Sequence, residues 1–277
     1  MTGRPARPRV GCVYATLIAV AALWGAATGL LVPRAAYRLS VEPDEPWRDA
    51  CPAGHPFTGP AHGWLGAPRC GVCAVAVPVG ADGPAPRPER SPSAVIPAVP
   101  AVPVATALAC GALAAATGPR PELLVWLAAA PVAVLLALVD RAVHRLPDRL
   151  TLPLAAGTAA LLGVAALLPG HAGAWPSALL GGLALGAGYA VLFLVNPSGM
   201  GFGDVKLALA LGVVLGWYGW GVLFVGAFAG FLFGAVYGFG LVALRRASRK
   251  SAIPFGPFMI GGALMGVLLG AFAASPA

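Results

Sequence analysis

Acids are what this chain has least of. It carries 10 Asp and Glu in 277 residues, and 10% of its residues are charged. A soluble domain carries about 25%, so an ordinary globular enzyme on a single anchor is excluded. Between Leu123 and Ala277 only Asp140, Asp148 and Asp204 bear carboxylates. Near them there is no His-Glu metal cluster and no convincing Ser/His or Cys/His pair. No glycine-rich cofactor fingerprint occurs, and no inverted repeat of the kind transporters show. Low-complexity sequence is confined to the Pro-Ala-Val stretch near residues 97–104.

What fills the chain instead is hydrocarbon. It is 58% hydrophobic, with mean hydropathy +0.82. The length suits about seven or eight spans of roughly 20 residues plus one sizeable loop. Eight apolar segments can be read: Val10–Val32, Val102–Ala116, Leu123–Val139, Leu150–Leu168, Trp175–Val195, Val205–Leu215, Gly221–Leu244 and Phe258–Ala274. Pro97, Pro100 and Pro103 blur the start of the second, and Trp217, Tyr218 and Trp220 read as an interfacial belt after the sixth. The expected fold is all-α, a polytopic membrane helix bundle of about eight transmembrane helices. Residues 1–32 are expected to form a first transmembrane segment, 33–96 a polar loop and 97–277 a membrane domain. The loop holds six of the ten acids and is the part able to form a small water-exposed module.

Net charge is +8, but the basic residues sit in loops, so they read as topology signals and not as a nucleic-acid footprint. With eight spans, loops 33–96, 141–149, 196–204 and 245–253 share one side. That side collects Arg141, Arg145 and Arg149, then Arg245, Arg246, Arg249 and Lys250. The positive-inside rule places it in the cytosol. Arg4, Arg7 and Arg9 run against this. A cleaved signal peptide would change the span count by one, but no clear A-x-A site follows the first run.

Asp140 then ends the third span and Asp204 opens the sixth, both at the cytosolic face. A carboxylate kept at a membrane-helix end is a functional candidate by default. Two carboxylates a few ångströms apart cannot both ionise easily, so one keeps its proton while the other acts as base. Such a pair can activate water against a peptide carbonyl and then protonate the leaving amine. Gly201 and Gly203 would let the backbone bend sharply and approach an extended substrate. The plainer alternative is that both aspartates end helices and pair with Arg141 or Lys206. Asp148 follows Pro147 ahead of an apolar run, which suits a helix N-cap. Lys206 could tune Asp204 or reach lipid phosphate. His144 reads as solvated, and His171 falls on the opposite side.

The polar loop contains Cys51 and His55 as C-x3-H, then fourteen residues, then Cys70 and Cys73 as C-x2-C. Three thiols and an imidazole suit tetrahedral zinc, and a loop too small for a core would gain fold from it. The alternatives are a Cys70–Cys73 disulfide or redox pair, or unpaired thiols. His62 is a spare ligand, and Cys12 and Cys110 read as packing residues.

The run Asn196-Pro197-Ser198-Gly199-Met200-Gly201-Phe202-Gly203-Asp204-Val205-Lys206-Leu207 strongly resembles the G-x-G-D signature of type IV prepilin peptidases, membrane aspartyl proteases. Asp140 through Pro153, with Pro147-Asp148 ahead of Leu150-Thr151-Leu152-Pro153, looks like that family's first motif. Ile253-Pro254-Phe255-Gly256-Pro257-Phe258 resembles its Pro-Phe-Gly-Pro element. The 64 positions between Asp140 and Asp204 suit the family. Many relatives have Gly in place of Phe202, and the pattern survives that change.

The resemblance implies a multi-pass protein of the bacterial cytoplasmic membrane, serving type IV pilus assembly or protein secretion. Asp140 and Asp204 would be catalytic, supported by Gly201, Gly203, Lys206, Pro147, Asp148, Pro254, Gly256 and Pro257. It would remove the short basic leader of prepilin-like proteins, cutting after Gly, with no cofactor for the cut. In longer members the loop carries two C-x2-C pairs, and here Cys51 and His55 stand in for the first. Bifunctional members also N-methylate the new amino terminus with S-adenosylmethionine, an activity this loop leaves open. A transporter or proton relay, or a non-catalytic pilin assembly factor, are the rival readings. The expected partners are prepilin-like substrates and the lipid bilayer.

Overall fold

The computed structural model describes residues 8–42, 45–64, 70, 72–73, 101–197, 199–245 and 253–274. Eight helices of four turns or more lie among the described residues. They are α1 (Pro8–Leu39), α2 (Ala101–Thr117), α3 (Glu122–Val143), α4 (Asp148–Ala165), α5 (Trp175–Val195), α6 (Phe202–Gly216), α7 (Trp220–Ala243) and α8 (Gly256–Ala273). One helix falls on each expected apolar segment. Their ends follow local chemistry. His144 takes a left-handed conformation after α3 and donates its N–H to the Asp140 carbonyl, closing the helix. Gly219, at φ 101°, makes the sharp turn between α6 and α7. Gly256 and Pro257 open α8, where a missing N–H costs nothing.

Five of these helices, α1, α3, α5, α7 and α8, are long and apolar enough to cross a membrane. The chain is a multi-pass membrane protein. Helix α2 has 17 residues, and α4 begins with the charged pair Asp148-Arg149. Helix α6 has only 15 residues, about 22 Å against a hydrocarbon core of about 30 Å. It need not span alone, because it is wrapped by α4, α5, α7 and α8 and buries ten of its residues, from Asp204 to Gly216. Helix α1 runs past Val32 and through Pro33 to Leu39. The Pro97 to Pro100 stretch, Arg246, Arg249 and Lys250 lie outside the described residues, as does the Cys12 side chain.

Lipid offers no hydrophobic drive between helices, so close backbone approach has to supply the packing. Gly181 and Gly212 face each other across α5 and α6 so closely that a Cβ on Gly212 would stand 2.4 Å from the Gly181 carbonyl oxygen. Gly226, Gly230, Gly262 and Gly266 do the same for α7 and α8. Phe193 meets Phe202 with ring centroids 5.4 Å apart, while Gly186 lies against Leu209 and Gly182 against Val213. These contacts set one antiparallel register between α5 and α6.

Candidate active site

Asp140 lies in the last turn of α3 and Asp204 in the first turn of α6. The α5–α6 register keeps Asp204 within about a turn of the end of α5. Both aspartates therefore sit just inside the same end of the bundle, 4% and 7% exposed. Each carboxylate is held by a backbone amide at a helix start. The Gly256 N–H donates to Asp140 Oδ2 at 2.9 Å, and the Gly201 N–H donates to Asp204 Oδ2 at 3.2 Å. Helix N-termini are natural anion seats. Asp140 lies close enough for its charge to act on Asp204.

The plainer reading of these residues fits Asp204 in part, since it completes a capping box at α6. It does not fit Asp140. A carboxylate in the last turn of its own helix faces the negative end of the dipole. Among the described residues neither aspartate makes an ion pair, and Arg141 is exposed. Lys206 pairs with Asp148, Nζ to Oδ1 at 2.5 Å, and lies over the Phe202 ring. Asp148 is not an N-cap: Pro147 holds that place and Asp148 is the first helical residue, without a side-chain cap.

The glycines divide by role. A Cβ on Gly203 would meet Leu146 Cβ at 2.9 Å, so Gly203 lets the α3–α4 turn close onto the start of α6. A Cβ on Gly201 would make only ordinary contacts, and its φ of −76° suits any residue. The sharp bend expected at Gly201 is absent because the backbone there is extended. Gly256 touches Asp140 directly, and a Cβ on it would stand 2.8 Å from Oδ2. Pro254 precedes this contact and Pro257 follows it within the first turn of α8.

Two features escaped the sequence reading. Tyr189 of α5 is buried beside this site, stacked on Phe231 at 5.5 Å. Its signal was a lone tyrosine in the apolar run Trp175–Val195. Glu122 is fully buried at the far end of α3, accepting the Ala172 N–H at 3.2 Å and facing Arg120 at 3.9 Å. It lies about five turns and 27 Å from Asp140, so it is no third member of the pair.

The polar loop brings Cys51, His55, Cys70 and Cys73 together, with all four ligand atoms within 4.8 Å of one another. The cluster could hold a metal ion. The Cys51 and Cys73 sulfurs are 3.8 Å apart, and tetrahedral zinc with sulfurs at about 2.3 Å sets an edge of about 3.8 Å. A tight turn at Gly54, φ 80°, returns the His55 carbonyl to the Cys51 N–H. Cys70 and Cys73 are free thiols, and His62 is not part of the cluster. The backbone N–H of Cys73 pulls the Cys70 thiol below its ordinary value. Desolvation, with the neighbouring thiols, pushes Cys73 up to about 11. Cys110 is fully buried as packing.

Arginines bolt this loop to α1. Arg34 donates to the Thr58 carbonyl and covers Phe57. Arg38 donates to the His62 carbonyl and lies 4.1 Å over Trp64. Trp64 packs against a small apolar cluster of Ala36, Leu39 and Val139, the last of which directly precedes Asp140. Between the loop and the α3–α4 turn runs a cleft of about 540 Å³, lined by Trp47, Val139 and Leu146 among others.

Residues 127–239 match the type IV leader peptidase family. A prepilin leader peptidase/N-methyltransferase of Aeromonas salmonicida strain A449 is 38% identical over 136 residues, 46% of this chain and 43% of that protein. The protein of the same name from Aeromonas hydrophila is 36% identical over 168 residues, 58% of this chain and 54% of that one. That from Pseudomonas putida is 33% identical over 179 residues, 62% and 58%. The chain thus spans about half the length of the curated relatives it matches. No solved structure matches.

Proposed function

Because residues 127–239 match the type IV leader peptidase family, we propose that this chain is a membrane-embedded aspartic endopeptidase. It removes the leader of prepilin-like proteins, cutting after Gly at the cytosolic face of the bacterial inner membrane. The observation that carries this reading is the pair of buried carboxylates at one end of the bundle. Each hangs on a helix-start amide, with Asp140 close enough for its charge to act on Asp204.

The chemistry follows from two like charges in a dry site. One carboxyl keeps its proton and hydrogen-bonds the scissile carbonyl oxygen, drawing charge from its carbon. The ionised partner takes a proton from water, and the new hydroxide oxygen bonds to that carbon. Collapse of the tetrahedral species breaks the C–N bond, with a proton passed to the leaving amine. The cleft that includes Val139, with Glu42 and Glu45 in its wall, would suit a basic leader approaching the Asp140 end of α3.

For the loop, Cys51, His55, Cys70 and Cys73 would hold a structural Zn²⁺. The metal would supply cross-linking in a segment without a core and no part of the cut.

The test is cleavage of a prepilin-like peptide by the purified protein in detergent. Asp140→Asn and Asp204→Asn should each abolish product while membrane insertion persists, since a dyad acts as a unit. Turnover like wild type by either variant overturns the dyad. An uncut but bound peptide with the unaltered protein would favour an assembly factor. Adding S-adenosylmethionine and weighing the product tests the second activity in the relatives' names.

A further inference from the structure

We propose that Tyr189 is a positioning residue of the dyad: its phenol braces Asp204, and its ring steadies the Phe255–Gly256 segment that holds Asp140. The proposal rests on the dyad reading above.

Three observations converge on this side chain. The α5–α6 register, fixed by Phe193 with Phe202 and Gly186 with Leu209, brings Tyr189 level with the first turn of α6. Its ring stacks on Phe231 of α7 and lies 6.3 Å from Phe255, which itself meets Phe231 at 5.1 Å. Helices α5 and α7 touch little otherwise, so this aromatic trio is the joint between them. Phe255 directly precedes Gly256, whose amide holds Asp140. The residue is 3% exposed, and the charge that acts on its hydroxyl is that of Asp204.

Packing accounts for the ring but not for the oxygen. The trio's other members are phenylalanines, and so are Phe193 and Phe202 beside them. The hydroxyl has no hydrogen-bond partner among the described residues and is not sealed from solvent, which leaves it free to serve the site beside it. The Gly201 amide donates to Asp204 Oδ2, and a carboxylate has acceptor sites to spare for a second donor, the role assigned here to the phenol. Two donors on one carboxylate would fix its rotation and aim it at the water between the aspartates. A hydrogen bond to a charged group is among the stronger ones.

The experiment compares Tyr189→Phe with Tyr189→Leu in the peptide-cleavage assay, with thermal unfolding measured in parallel and Asp204→Asn as control. Tyr189→Phe keeps the ring. Its unfolding temperature and KM should match wild type while kcat falls about ten- to hundredfold. Tyr189→Leu should lose the same activity and unfold at lower temperature as well. Unchanged kcat in Tyr189→Phe, with Asp204→Asn inactive, overturns this proposal alone. A kcat loss in Tyr189→Phe that comes with an unfolding temperature as low as that of Tyr189→Leu also overturns it, since packing would then be the whole role. An active Asp204→Asn removes the dyad itself.

Discussion

Gly256→Ala should cut activity without weakening the fold. Gly256 is buried at the start of α8, and its amide donates to Asp140 Oδ2 at 2.9 Å. A methyl group there would stand 2.8 Å from that oxygen and 3.2 Å from Asp140 Cγ. Comfortable contact begins near 3.4 Å, so the carboxylate must retreat by roughly half an ångström or more. The clash falls on the end of a side chain that can rotate, not on backbone, so the fold yields cheaply. Alanine also suits a helix better than glycine, by about 0.5–1 kcal/mol. The damage therefore lands on geometry. A misplacement of about 1 Å can cost about a hundredfold in rate, and half of that, with a stretched amide bond, suggests a loss of ten- to hundredfold in kcat/KM. Gly261→Ala on the same helix is the control, because its Cβ would meet the Phe233 ring at an ordinary 3.6 Å. Both variants would be assayed on the prepilin-like peptide, with unfolding followed in the same detergent. Full activity in Gly256→Ala would refute the claim that this amide positions Asp140. So would a fall in activity that merely tracks a fall in unfolding temperature.

Asp148→Asn should retain cleavage within about twofold, because it loses an ion pair to Lys206 from a side chain that is 58% exposed, and such pairs contribute at most about 1 kcal/mol. A variant as inactive as Asp204→Asn would transfer the second catalytic role from Asp140 to Asp148. Zinc uptake by the whole chain should release protons and tighten as pH rises, since desolvation and the neighbouring thiols favour a protonated Cys73 without metal and zinc takes thiolates. Metal analysis across pH 6–8 (roughly the cysteine-competent range) that shows no zinc at any pH would end that assignment. In a variant lacking Cys51, Cys70 and Cys73, a chelator should leave cleavage unchanged, and lost activity there would require a metal at the aspartates.

The helices were legible because hydrophobic runs in a membrane protein have few rivals as signals, and each run became one helix. Their lengths were less so. Helix α6 is short yet central because glycines at 181, 182 and 186 let α5 cover it, and packing partners are not written in the run itself. Asp140 and Asp204 stood out as acids in hydrocarbon. The motif around Gly256 was visible, but its work was not: only the fold brings an amide 116 positions away onto Asp140. Asp148 misled as a cap because the sequence cannot say whether Pro147 or Asp148 is the last non-helical residue. Tyr189 was passed over because one tyrosine in an apolar run looks like packing until its neighbours are known.

The depth of the pair bears on what it can cut. A peptide in a bilayer keeps its carbonyls hydrogen-bonded within a helix, and a helical carbonyl is closed to attack by water. Opening it mid-membrane would leave several backbone groups without partners, at several kcal/mol each. Asp140 ends α3, and Asp204 begins α6, so the pair meets a substrate within about one turn of the helix ends. There a chain leaving its helix already exposes carbonyls that lack partners. Trp64 of the polar loop packs against the cluster that holds Val139, so the loop and the carboxylates lie at the same end of the helices. A site so placed favours a substrate with a polar segment, a flexible residue and then an apolar helix. A glycine before the cut, as proposed above, would fit that need, because it ends helices readily and lets the backbone approach closely.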